Sequence, residues 1–200
     1  HIAAAQPLHP RQEASVGLQM GEGDPGLGAG RHQCGRGTGT GKTHHAFEQV
    51  QRHTPLFHAL HLDHKAKMVE FAGYEMPIAY GSIIEEHKWC RSSAGFFDVS
   101  HMGRLRFSGR HARKFLDHVC TRQIYGMQAG MIRYSLVCND QGGCRDDVLV
   151  YCVDEDEYLM VCNASNHAKI AAWLAAHLPT DGVALDDQSD RTALIAVQGP

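Results

Sequence analysis

Two adjacent carboxylates, Asp146 and Asp147, stand at the end of the turn-forming stretch GGCRDD and directly before the apolar, β-branched run VLVY. Acids are scarce where a strand enters a core, because an unpaired buried carboxylate is costly. A turn after Gly142 and Gly143 accounts for one of them, since Asp side chains accept hydrogen bonds from nearby backbone. The other could serve a ligand: one carboxylate in a water-excluding site can counter a developing cation or orient the N–H groups of a bound ring. Successive strand residues point to opposite faces, so Asp147, Leu149 and Tyr151 share one face and Asp146, Val148 and Val150 the other. A ligand that touched both Asp147 and Tyr151 would lie on the first face and leave Asp146 to the turn or to Arg145, but alternation alone does not choose the face. The spacing by itself favours the turn reading for both acids and leaves the ligand reading as the alternative.

Other residue types that could carry chemistry are less organised. The 15 His are spread along the chain and make no HExxH pattern, so no metal site is expected. The 7 Cys lack paired metal spacing and are read as buried apolar thiols in a reducing, cytosol-like compartment. GRGTGTGKT, residues 35–43, resembles a phosphate-binding loop but places Arg36 where the first glycine is needed, and no apolar strand precedes it. A net charge of -3 with no basic stripe argues against nucleic acid as a partner. No apolar run is long enough to span a bilayer, so no membrane partner is expected.

The elements that must position these residues begin near Thr54. Residues 1–52 are rich in Gly and poor in large apolar side chains, and are expected to be a disordered or non-native extension. The chain opens on His1 and closes on ALIAVQGP, so both ends read as cut. KMVEFAGYEMPIAYG alternates apolar and polar residues up to breaks at Pro77 and Gly81. Ser82 with Glu85 forms a capping box that starts a helix, which Gly95 can end. Leu105 and Phe107 alternate with Arg104 and Arg106, a half-exposed strand, and Ala112, Phe115, Leu116 and Val119 make a helical stripe. IRYSLVC, DDVLVYCV and YLMVCNA, joined by short turns, predict an antiparallel meander. SNHAKIAAWLAAHL predicts a helix capped by Ser165, with Ile170, Trp173, Leu174 and His177 on one side. Strands around VALDD and TALIAVQG follow. The fold class is α+β, antiparallel sheets with packed helices.

TPLFHALHLDHKAKMVEFAGYEMPIAYGSIIEEH, GFFDVSHMGRLRFSG, DQGGCRDDVLVY, VCNASNHAKI and ALIAVQGP, in that order, together resemble the N-terminal part of the aminomethyltransferase (T-protein) family of the glycine cleavage system. The resemblance covers residues 54–200 and none of the preceding extension. It implies that residues 53–200 are the N-terminal portion of the folate-binding region of a cloverleaf multi-domain fold, truncated at its C-terminus. It implies a reaction in which the aminomethyl group on the lipoyl arm of H-protein passes its carbon to tetrahydrofolate, the acceptor substrate, releasing ammonia and methylenetetrahydrofolate. The partner would be lipoylated H-protein, and the compartment the cytoplasm, or the mitochondrial matrix in a eukaryote. By position, Asp147 matches the family's catalytic aspartate, and Met102, Tyr134, Asp147, Tyr151 and Asn163 match residues lining the folate. Tyr74 stands where many members carry Trp, and Arg145 where an apolar residue is common.

On residue type alone, Tyr134, Tyr151 and Met102 are strand residues packing a core, and Asn163 is a turn or cap residue. His101, beside Met102, is read as a structural imidazole bonded to backbone rather than as a general base. Two relatives of the same architecture stay open. One is a non-enzymatic folate-binding protein of tRNA modification and iron–sulfur maintenance. The other is the folate domain of a dimethylglycine or sarcosine dehydrogenase or demethylase, whose flavin domain would need a GxGxxG after a strand that residues 1–52 do not contain.

Overall fold

The computed structural model describes Ala5–Pro7 and residues 53–200. The GRGTGTGKT stretch and the rest of the Gly-rich extension, Ala5–Pro7 apart, lie outside the described residues. Within that extension Ala5–Pro7 forms a strand, β1.

After β1 the chain runs α1 (His58–Asp63), β2 (Lys67–Phe71), β3 (Tyr74–Ala79), α2 (Ile83–Ser92), β4 (Gly95–Asp98), β5 (Gly103–Ser108) and α3 (Ala112–Val119). It continues through β6 (Ile132–Cys138), β7 (Cys144–Asp154), β8 (Glu157–Cys162), a 3-10 turn (Ala164–Asn166), α4 (His167–Ala176), β9 (Ala184–Asp187) and β10 (Ile195–Gln198). Strands β2 and β3 pair antiparallel as a hairpin, turning at Ala72 and Gly73, both at positive φ. Two positive φ values are what a tight primed turn requires. Pro77 does not break this segment but lies inside β3, opposite Met68. A two-stranded sheet leaves β3 one open edge, where a missing N–H costs no ladder bond.

Ser82 caps α2 as expected, its hydroxyl accepting from the Glu85 backbone N–H at 3.4 Å. The return arm comes from the neighbouring acid: Glu86 accepts from the N–H groups of Tyr80 and Gly81. The helix ends at Ser92 rather than at Gly95, which opens β4 instead. β4 lies between β1 and β10 in one antiparallel sheet.

The principal sheet has the order β6-β7-β8-β5-β9, all antiparallel. Its core face carries Val137, Val148, Val150, Cys152, Tyr158, Met160, Leu105 and Phe107, packed with Phe115 and Leu116 of α3 and with Ile170 and Leu174 of α4. The meander and the α3 stripe stand as the periodicity predicts. The strands around VALDD and TALIAVQG join different sheets, β9 beside β5 and β10 beside β4. Ser165 does not cap α4; it sits in the 3-10 turn, and Asn166 is the residue before the helix. Cys120, Cys152 and Cys162 are buried, and burial pushes the thiols of Cys120 and Cys162 up to about 12. Cys144, by contrast, is exposed.

β5 is not half-exposed at both arginines. Arg104 is 2% exposed. Its Nε donates to Thr192 Oγ1, and its Nη groups donate to the carbonyls of Ser100, Met102, Ser189 and Thr192. A guanidinium has donors enough to satisfy such a ring of carbonyls, which is why the charge can be held inside. Burial nonetheless lowers its pKa from the ordinary value. Nearby, His61 bridges Tyr80 and Asp98 at 2.7 Å each, tying α1 to β3 and β4.

Candidate functional site

The two faces of the principal sheet differ in cover. Strand pairing puts Ile132 opposite Tyr151, Tyr134 opposite Leu149, and Leu136 opposite Asp147. Opposed residues project to the same side, so all six share the face away from α3 and α4. On that face Ile132 is 54% exposed and Tyr134 59%, while Leu149 and Tyr151 are half-buried. The core-facing neighbours alternate with them: Asp146, Val148, Val150 and Cys152 are all buried. The separation of Asp146 from Asp147 by strand alternation is therefore present.

Asp147 is exposed on the open face. The Tyr134 hydroxyl, diagonal to it across the β6–β7 ladder, donates to its Oδ2 at 3.1 Å. Asn163 Nδ2 donates to its Oδ1 at 2.9 Å. Register explains the second contact. Leu149 pairs with Val161, so two further residues along each strand bring Asp147 beside Asn163. The hydrogen bond to Asp147 raises the Tyr134 phenol above its ordinary pKa, because a carboxylate acceptor favours the protonated phenol.

Asp146 behaves differently from the turn residue expected. It is 3% exposed and takes its hydrogen bonds from across the sheet end. Its Oδ2 accepts from the Asn163 backbone N–H at 2.9 Å, and its Oδ1 from Asn163 Nδ2 at 2.8 Å and Asn166 Nδ2 at 2.6 Å. The turn is closed instead by Asn139, whose Oδ1 accepts from the N–H groups of Gln141 and Gly143. Nor does Arg145 pair with Asp146. Its guanidinium lies 3.8 Å from the centroid of the Trp173 ring on α4. A stacked guanidinium covers an aromatic face that would otherwise meet water.

The structure thus brings Asp147, Tyr134 and Asn163 into one hydrogen-bonded cluster, with Tyr151 on the same face, further along β7. Met102 is not in the cluster; it is half-buried just before β5, with its carbonyl on Arg104. His101 is 9% exposed and packs edge-on against Phe71, its Nδ1 without a partner among the described residues, so the expected backbone bond is not made there. Burial lowers its pKa. Sequence reasoning missed Asn166 and the carbonyl ring around Arg104. Asn163 reads as a turn or cap residue and Asn166 as the first helical residue after a Ser165 cap, and nothing in their spacing showed that both reach back to Asp146. No group of His, Cys, Asp or Glu among the described residues could hold a metal ion. No helix among them is long and apolar enough to cross a membrane.

The antiparallel sheet thus buries one face under two helices and presents a carboxylate, a phenol and a carboxamide on the other, a platform open to a ligand. Comparison with known proteins gives that platform a family. The GCVT N-terminal domain matches residues 57–200. An aminomethyltransferase of Deinococcus deserti is 47% identical over 153 residues, 76% of this chain and 43% of the relative. Those of Thermotoga maritima and Bacillus subtilis are 46% and 42% identical over 149 residues, each across 74% of this chain and 41% of the relative. The crystal structure of glycine cleavage system aminomethyltransferase T from Bartonella henselae superposes with a TM-score of 0.66 at 30% identity, over 74% of this chain and 41% of that one. The chain belongs to the aminomethyltransferase family, through its GCVT N-terminal domain. It spans about two fifths of the length of the curated relatives it matches.

Proposed function

We propose that residues 53–200 are the folate-facing N-terminal portion of a glycine cleavage aminomethyltransferase, with Asp147 as its catalytic carboxylate. Tetrahydrofolate is the acceptor substrate and the lipoyl arm of H-protein brings the aminomethyl group. The transferred carbon gains bonds to folate N5 and N10. It loses its bonds to the ammonia nitrogen and the lipoyl sulfur, and the two displaced N–H protons leave with those groups. Positive charge builds on the carbon–nitrogen unit as the leaving group departs, and a fixed carboxylate lowers the energy of that state more than that of the ground state. Asp147 supplies the charge; Tyr134 and Asn163 hold it in one orientation. Tyr151, Leu149 and Ile132 supply the apolar surface on which a flat pterin can rest.

The observation that carries this reading is the Tyr134–Asp147–Asn163 cluster standing on the uncovered face of the sheet. Equilibrium binding of tetrahydrofolate to the full-length enzyme tests it. Tyr134→Ala and Tyr151→Ala should each weaken binding about tenfold, the scale of losing one aromatic contact. Unchanged affinity in both would place the folate elsewhere.

A further inference from the structure

We infer that Asp146 is a positioning residue for this site: a buried carboxylate that fixes the carboxamide of Asn163 and, through it, the side chain of Asp147. The inference rests on the proposed role of Asp147 and extends it to a residue that touches no ligand.

The geometry runs in one direction, from the core outward. Asp146 is nearly inaccessible and accepts three hydrogen bonds, two of them from Asn163. One comes from the backbone N–H, so the carboxylate fixes where the chain leaves β8. The other comes from Nδ2, so it fixes which way the carboxamide faces. An ionised carboxylate only accepts, which forbids the flipped carboxamide that would set oxygen against oxygen. The same Nδ2 reaches Asp147 Oδ1 at 2.9 Å and the Asp147 carbonyl at 3.2 Å. Its two hydrogens are therefore committed to the two acids. Asn163 Oδ1 takes no hydrogen bond from the described residues and remains an acceptor for a ligand N–H.

Asn166 completes the device, holding the 3-10 turn against the same Oδ1 of Asp146 at 2.6 Å. Adjacent strand residues face opposite sides, so Asp146 cannot enter the open face itself. It can act there only through a side chain that spans the strand end, and Asn163 is that side chain.

The test uses the full-length enzyme with Asp146→Asn, Asn163→Ala and the double variant. In Asp146→Asn the amide oxygen stays on the Asn163 backbone N–H, which cannot turn, so the new NH2 faces Asn163 Nδ2 donor to donor. The Asn163 carboxamide must then turn its oxygen inward and withdraw its bond from Asp147. Turnover should fall by about 10-fold or more, the scale of misplacing a reacting group. The double variant should be no worse than the poorer single one, since both changes break one chain of contacts. A second readout does not require turnover. The Tyr134 phenol, followed by carbon-labelled tyrosine NMR against pH, should titrate lower in each variant, because Asp147 no longer holds still to accept from it. If Asp146→Asn does not fold, Asp146→Ser, which can still take the Asn163 backbone N–H, should give the same downward shift. A folded Asp146 variant with wild-type Tyr134 titration overturns the inference, as does full additivity in the double variant. A wild-type enzyme without aminomethyltransferase activity, whose variants still show the Tyr134 shifts, would sink the proposed reaction and leave the positioning role standing.

Discussion

On the proposed role of Asp147, Asp147→Asn should separate catalysis from folding, because the charge sits where it costs the fold little. The side chain is exposed, and its two side-chain hydrogen bonds, from Tyr134 at 3.1 Å and Asn163 at 2.9 Å, lie at the open face. Exposed charge interactions are worth about 0–1 kcal/mol, so the urea midpoint should scarcely move. The asparagine can keep the bond from Asn163 through its own oxygen. It cannot keep the charge. Losing one electrostatic contact in a closed site costs about 10²-fold or more in turnover, or roughly 2.7 kcal/mol of barrier. The assay is steady-state formation of methylenetetrahydrofolate by the full-length enzyme at saturating tetrahydrofolate and H-protein. Tetrahydrofolate affinity should stay near wild type, since the proposed ring contacts of Tyr134 and Tyr151 are kept. The Tyr134 phenol should titrate lower than in wild type, because the carboxylate that raises it is gone. Wild-type turnover in a folded Asp147→Asn enzyme would refute the assignment of charge stabilisation to this acid.

Two further outcomes concern the frame that holds the site. Arg104→Met should destabilise by about 3 kcal/mol or more, because it leaves buried carbonyls of Ser100, Met102, Ser189 and Thr192 without donors; an unshifted urea midpoint would show that they find other partners. His101 has its pKa lowered from 6.5 by burial, so an unfolded chain takes up its proton where the folded one does not. Its contribution is therefore full above pH 6.5 and lost as pH falls through the depressed folded value. The fall in urea midpoint between neutral and mildly acidic pH should be shallower in His101→Phe than in wild type, and equal slopes would contradict this.

The principal sheet is legible in the sequence because its strands alternate cleanly and its turns carry Gly, Asn and acidic residues at the right places. IRYSLVC, DDVLVYCV and YLMVCNA could hardly pair otherwise, and the same alternation separates Asp147 from Asp146 without any knowledge of contacts. What alternation cannot show is the partner of the buried acid. Asn163 and Asn166 meet Asp146 across a long stretch of chain, and such polar contacts leave no period. Arg104 escapes the pattern for a related reason. A charged residue inside a strand reads as solvent-facing, yet a ring of carbonyls from two loops can satisfy it. Pro77 reads as a break because a proline removes a donor, and the free edge of a two-stranded hairpin makes that removal harmless. Ser165 is a plausible cap by type, but the 3-10 turn moves the helix start past it.

The proposed transfer is read out by ammonia release from the full-length enzyme, with aminomethyl-loaded H-protein and tetrahydrofolate each supplied or withheld. Rapid release is expected only when both are present, with one methylenetetrahydrofolate formed per ammonia, and that rate should be lost on Asp147→Asn. Residues 1–200 alone should show no such turnover, since half a site wall cannot exclude water. Rapid ammonia release that ignores tetrahydrofolate, or a full rate in the Asp147→Asn enzyme, would contradict the proposed transfer.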